Sequence, residues 1–230
     1  MRVLGLLGGM SWESSIEYER IINEHIRAAL GGANSADLIV RSFNFADIER
    51  IQEAGRWDDA GHLLAAEAMK LQVAGAEAIV LCTNTMHTVS DVIEASISVP
   101  LIHIADPTGE AIRSRGISTV GLLGTRYTME QDFYAARLRH NWSLSVNVPD
   151  EPDRVNVHRV IYDELVQGII TAQSKALYVE TIERLVANGA QGIVAGCTEI
   201  ELLISQNDID VPFFPTARLH AEAAATFALS

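Results

Sequence analysis

"GAEAIVLCTNT", residues 75–85, returns as "GAQGIVAGCTE" at residues 189–199, and this pair of stretches decides the fold. Four of eleven positions are identical, which one window could produce by chance. Two further echoes lie in the same order. "GLLG" at residues 5–8 returns 116 residues later at 121–124, and "VPLIHIADPTGEAI" from Val99 has a weaker echo in "VPFFPTARLHAEAA" from Val211. Three collinear repeats, each about half a chain apart, indicate two halves of similar fold.

Each half alternates short apolar runs with amphipathic stretches. In the first, residues 3–7 read as a buried strand, and Ser11 stands where it caps a helix over 12–30 that Gly31 and Gly32 close. "ADLIVRSF" (36–43) reads as a strand, "DIERIQEA" (47–54) as a helix opened by Asp47, and residues 56–75 as a longer helix. Strands follow at 78–81 and 101–104, with a short helix after Thr85 between them. The second half gives strands at 119–123, 143–148 and 192–195, a helix over 129–139, and two helices between 155 and 188. Such alternation specifies an α/β protein of two pseudo-symmetric lobes, each a parallel sheet flanked by helices. Terminal helices of such lobes cross over, so the expected division is 1–107 plus 217–230, and 108–216.

In parallel sheets, ligands sit beyond the carboxyl ends of the strands, where loops lead into helices. That directs attention to "GGMSWES", "CTNTMH", "GTRYT" and "GCTEIE", all of which follow an apolar strand. Overlaying the halves sets Thr83 against Cys197 and Cys82 against Gly196. Consecutive strand residues point to opposite faces. If Cys197 faces a cleft, Thr83 does too, and Cys82 turns into the sheet as a small buried hydrophobe. Cys197 precedes a helix start, which lowers a thiol pKa from its ordinary value of about 8.5. The alternative for Cys197 is a second structural thiol.

Bulk composition narrows the function. A chain with 48% hydrophobic and 20% charged residues can build a substantial core. A net charge of −13 repels phosphate backbones and anionic membrane faces, so neither nucleic acid nor a membrane is an expected partner. Two unpatterned cysteines suit a reducing, cytoplasmic compartment. The glycine-broken run at the N-terminus reads as a strand rather than a signal peptide, and no apolar run reaches the length of a membrane span. No His/Cys/Asp spacing resembles a zinc site, so no metal is expected. The apolar content is compatible with a homodimer.

"GLLGGMSWESS", "CTNTMH" followed by "HIADPT", and "GCTEIELL" together resemble the aspartate/glutamate racemase family, whose members work without pyridoxal phosphate. The resemblance runs from Val3 to the "HAEAAA" near the C-terminus. It implies two lobes with an amino-acid substrate held between them and no cofactor. Typical members carry a cysteine in each lobe, in "CNT" and "GCTE"; here Thr83 takes the first position, which resembles the branch specific for L-aspartate and L-glutamate. The resemblance implies Thr83 and Cys197 as the catalytic pair. It also implies Met10, Ser11, Gln52, Asn84, Thr85, Thr198 and Glu199 as substrate-binding positions. Asn84 and the threonines offer neutral partners for a carboxylate, and Glu199 suits the α-ammonium, although it equally fits the start of a helix.

Racemisation takes a proton from one face of the α-carbon and returns one to the other, so it needs two acid/base groups on opposite sides. A threonine hydroxyl delivers or relays a proton far more easily than it removes one. The expected enzyme is therefore asymmetric, with Cys197 acting on the L-enantiomer and Thr83, or a water it holds, on the opposite face. Many members place a lysine for the substrate's second carboxylate where Gln167 stands here; Arg41, Arg126 and backbone amides remain the alternatives. His87, His103 and His220 are open between supporting the site and simply capping or packing.

Other readings fit less well. "GLLGGM" lacks the G-x-G-x-x-G spacing of a dinucleotide site. A Cys82–His87 hydrolase has no defined orientation. An amino-acid-binding protein without catalysis, or an isomerase or decarboxylase of a small dicarboxylate on the same lobes, remain as alternatives.

Overall fold

A computed structural model describes residues 1–230, and its chain divides into two compact units. One comprises Met1–Ile104 with His220–Ser230, and the other Ala105–Leu219.

The first unit is built on a four-stranded parallel sheet in the order β2-β1-β3-β4. Its strands are β1 (Leu4–Gly8), β2 (Leu38–Ser42), β3 (Ala78–Leu81) and β4 (Leu101–Ile102). Between them run α1 (Trp12–Leu30), α2 (Phe45–Glu53), α3 (Trp57–Val73), a 3₁₀ turn at Thr85–Val89 and α4 (Ser90–Ser96). The two inner strands are buried throughout, as their unbroken apolar runs require of a sheet covered on both faces. Burying Ile79, Val80 and Leu81 contributes about 1.5–3 kcal/mol apiece. Helix α3 turns Leu64, Ala68 and Leu71 inward, while Ala74 lies just past its end and is exposed.

The second unit repeats the arrangement. Strands β5 (Thr119–Gly124), β6 (Ser145–Asn147), β7 (Ile193–Gly196) and β8 (Phe213–Pro215) pair in parallel in the order β6-β5-β7-β8. The helices are α5 (Ala105–Ser114), α6 (Arg126–Glu130), α7 (Asp132–Trp142), α8 (Glu151–Asp163), α9 (Ala172–Ala187) and α10 (Ile200–Leu203). Helix α11 (Thr216–Leu229) contributes its first residues here and, from His220 onward, belongs to the first unit. In strand order β1 answers β5, β2 answers β6, β3 answers β7 and β4 answers β8, so the repeat in the sequence is a repeat of topology.

Several local expectations need correction. Ser11 occupies the N-cap of α1 but makes no capping bond through its side chain; its carbonyl instead accepts the Ser15 hydroxyl at 2.7 Å. Helix α2 starts at Phe45, so Asp47 sits in its first turn rather than opening it. The helix expected over 129–139 is two helices, broken where Gln131 adopts an extended backbone. Asp150 caps α8 by accepting from the Asp153 backbone N–H, which starts that helix earlier than residue 155.

Candidate active site

In the first unit, the chain leaves β1 toward β2 on one side and continues through β3 to β4 on the other. The crevice beyond β1 and β3 is the reversal point where such sheets hold ligands. The β1–α1 loop enters it through Gly9, whose φ is +81°. A Cβ on Gly9 would lie 2.3 Å from the Phe43 carbonyl oxygen, so only glycine fits. Met10 then packs into one apolar cluster with Ile48 and Met86, and the Gln52 amide approaches the Met86 sulfur at 3.0 Å.

At the end of β3, the Cys82 backbone N–H donates to the Leu7 carbonyl at 2.9 Å, extending the ladder by one residue. The Cys82 side chain is 1% exposed and its sulfur lies against the Val80 carbonyl at 3.7 Å. Burial, reinforced by the Glu19 charge, pushes its thiol up, which keeps it protonated and inert. Thr83 is the next residue, and His87 controls its backbone. The Ile104 N–H donates to His87 Nε2 at 3.2 Å, so the proton of the neutral ring sits on Nδ1 and is donated to the Thr83 carbonyl at 2.7 Å. The Thr83 carbonyl is thereby held, and its hydroxyl is left to other work. His103 and His220 stack edgewise on His87 at 4.4 and 5.9 Å between centroids. His220 itself bridges the Tyr18 hydroxyl, at 2.9 Å, and the Ile102 carbonyl, at 2.6 Å. These histidines fasten strand ends to helices.

In the second unit, β5 and β7 are in register through Gly124 and Gly196, so Thr125 and Cys197 follow side by side at the sheet end. The close pairing needs both glycines: a Cβ on Gly124 would meet the Gly196 carbonyl at 2.7 Å. Cys197 is 6% exposed and packs in the apolar core with Ile200 and Tyr178. Its Sγ–H points to Glu199 Oε2 at 2.9 Å, and the same oxygen accepts the Thr198 hydroxyl at 2.8 Å.

This arrangement reverses one expectation. The Cys197 thiol is pushed well above its ordinary range, first by burial and then by the Glu199 carboxylate beside it. The helix that follows is a single turn, Ile200–Leu203, too short for its dipole to outweigh a full charge. Two residues on, burial raises the Glu201 carboxyl to about 7, against bonds from the Ala217 and Arg218 backbone that favour its charged form. At rest, this sheet end holds a thiol rather than a thiolate.

All nine positions singled out from the sequence are buried: Met10, Ser11, Gln52, Thr83, Asn84 and Thr85 in the first unit, Cys197, Thr198 and Glu199 in the second. Asn84 and Thr85 lead into the 3₁₀ turn that carries His87. Gln167 is exposed and returns its amide to the Asp163 carbonyl at 3.2 Å. What the sequence did not assign is the tautomer-defined hold of His87 on Thr83 and the hydrogen bond of Glu199 to the thiol. The i+4 spacing of Thr83 and His87 was the available signal for the first. No group of three or more His, Cys, Asp or Glu side chains is placed to hold a metal ion, and no helix is long and apolar enough to cross a membrane.

The sequence profile described as Asp/Glu/Hydantoin racemase matches residues 7–224. A Yersinia pestis protein provisionally named an Asp/Glu racemase is 52% identical, with both chains covered in full and a TM-score of 0.93. An aspartate racemase homologue from Pyrococcus horikoshii OT3 is 33% identical, again over the whole of both chains, with a TM-score of 0.86. The broad specificity amino-acid racemase RacX of Bacillus subtilis (strain 168) is 22% identical over 96% of each chain.

Proposed function

The chain belongs to the Asp/Glu/hydantoin racemase family, and on that premise we propose that it racemises aspartate, glutamate or both, without a cofactor and with a kinetic preference for the L-enantiomer. The observation that carries the reading is the matched position of Thr83 and Cys197, two residues past β3 and one residue past β7, each at the reversal point of its own sheet. The two side chains are proposed to serve opposite faces of one α-carbon.

The chemistry starts from the resting thiol. Burial and the Glu199 charge hold the proton on Cys197. A substrate α-ammonium beside Glu199 offsets that charge, and the thiol then releases its proton to solvent. The thiolate takes the α-proton of the L-amino acid, and the electron pair of the C–H bond passes into the carboxylate as an enediolate. The Thr83 hydroxyl delivers its proton to the opposite face while its oxygen receives one from water. Each turnover thus removes one proton from carbon to sulfur, returns one from oxygen to carbon, and resets both groups from solvent. Positioned acid/base groups of this kind contribute about 10²–10⁴-fold each.

Met10, Ser11, Gln52, Asn84, Thr85 and Thr198 are proposed to line the substrate, all of them buried beside the two strand ends. The reading extends to a cytoplasmic setting, compatible with two free, unpaired cysteines, and to a homodimer. The test is enantiomer-resolved turnover of aspartate and glutamate. Wild type is expected to racemise at least one of them, and Cys197→Ser to lose about 10³-fold or more in kcat/KM with an unchanged circular dichroism spectrum. Wild type that binds these amino acids without exchanging their α-proton would make it a binding protein.

A further inference from the structure

An acidic substrate brings a second carboxylate, and neither Thr83 nor Cys197 answers its charge. Two arginines stand near strand ends. Arg41 lies on β2, the outer strand of its sheet, and its guanidinium is engaged by Glu67 at 3.0 Å and by the Ser42 carbonyl at 2.5 Å. Arg126 lies elsewhere: it is the second residue past Gly124, which is in register with Gly196, so it opens a helix at the reversal point, next in sequence to the Thr125 that lies beside Cys197.

The Arg126 side chain is exposed and takes part in no ion pair. Nη2 donates to the Tyr127 hydroxyl at 3.0 Å, and the guanidinium carbon stands 4.9 Å from the Tyr127 ring centroid. Its backbone N–H donates to His158 Nδ1 at 3.4 Å. His158 in turn stacks against Tyr127 and Tyr162, at 6.1 and 4.6 Å. Glu130, the carboxylate of the same helix, is held by Arg154 at 3.1 Å. Burial, and then the Arg126 charge itself, lowers the His158 pKa, so that ring stays neutral. The result is a planar cation braced by the Tyr127 ring, in the field of Glu130 but in no ion pair with it, at the sheet end that carries the thiol, in a protein of net charge −13.

We propose that Arg126 is the specificity-determining residue for acidic substrates, receiving the side-chain carboxylate of aspartate or glutamate while Cys197 works on the α-carbon. The inference rests on the racemase reading and deepens it. A guanidinium presents parallel N–H donors that match a carboxylate in two-point fashion, which an amide group of the same shape does not reproduce. The Tyr127 hydroxyl fixes which edge of the fork remains available.

The experiment compares wild type, Arg126→Gln, Arg126→Lys and Tyr127→Phe on L-aspartate and L-glutamate against their amides, L-asparagine and L-glutamine. It reads kcat and KM for racemisation and, by calorimetry, the Kd of each amino acid. Arg126→Gln is expected to weaken aspartate or glutamate by about 10- to 100-fold, chiefly through KM and Kd, with the amides changed less than about threefold. Arg126→Lys should recover part of the loss, since it keeps the charge without the fork, and Tyr127→Phe should lose only a few-fold. A general structural defect would lower acids and amides together. An Arg126→Gln protein whose acid-to-amide ratio in Kd stays within about threefold of wild type overturns the assignment. Wild type that racemises none of the four overturns the racemase reading instead, and the two failures are therefore separable.

Discussion

The two sheet ends share a strand order and differ in chemistry. Beyond β3 the side chains are neutral: a threonine hydroxyl, an asparagine and a second threonine, with a buried histidine whose tautomer is set by the backbone on either side. Beyond β7 they are ionisable: a thiol, Glu199 within hydrogen-bond distance of it, and Glu201 pushed up to about 7. A duplicated scaffold has kept the geometry of its ends and let their proton affinities diverge. Two equal thiols would treat the enantiomers alike. On the proposed mechanism a thiol paired with a hydroxyl would not, because the thiol is the far stronger acid of the two.

Of the changes that bear on this difference beyond the loss of Cys197 itself, giving the first sheet end a thiol should produce the larger effect. Thr83→Cys gives the first sheet end a group able to remove a proton, and the D-enantiomer kcat is expected to rise by about 10- to 100-fold. The equilibrium between enantiomers is unity, so kcat/KM must remain equal in the two directions. The asymmetry and its relief therefore appear in kcat and KM taken separately, read from progress curves started from each pure enantiomer. Unchanged D-side kcat in a folded Thr83→Cys protein would show that the hydroxyl does not limit that direction.

A smaller change sharpens the comparison from the other side. Glu199→Gln removes a charge that holds the Cys197 proton, so the pH at which iodoacetamide alkylates Cys197 should move downward. The sign follows from the carboxylate repelling the thiolate: without it, the charged form of sulfur is less disfavoured. The same variant should lose about tenfold in kcat/KM, because no carboxylate remains to meet the ammonium. An alkylation midpoint that stays put or climbs would mean that burial alone sets the thiol.

Much of this was legible in the chain. Runs such as "AIVL" and "GIVAG" are apolar enough for covered strands, and the repeat alone sets Thr83 against Cys197. β8 was less legible: three residues between Pro212 and the helix at Thr216 offer little pattern, and only pairing with β7 makes them a strand. The break at Gln131 carries no glycine or proline to announce it. The state of the thiol was not legible at all. Sequence position offered a helix start and thus a lowered pKa, but the helix is one turn long and the neighbouring side chain that decides the matter is negative. Electrostatics of that kind depends on where the Glu199 oxygen points, which local pattern does not encode.

The most direct test of the asymmetry is the isotope content of unconverted substrate. With wild-type protein in deuterated water, residual L-aspartate or L-glutamate should acquire deuterium at the α-carbon during partial conversion, because the thiol exchanges its proton and returns another to the same face. Residual D-enantiomer should stay protiated over the same extent of reaction. Deuterium entering the residual D pool as fast as the residual L pool would contradict the account, whatever the turnover numbers.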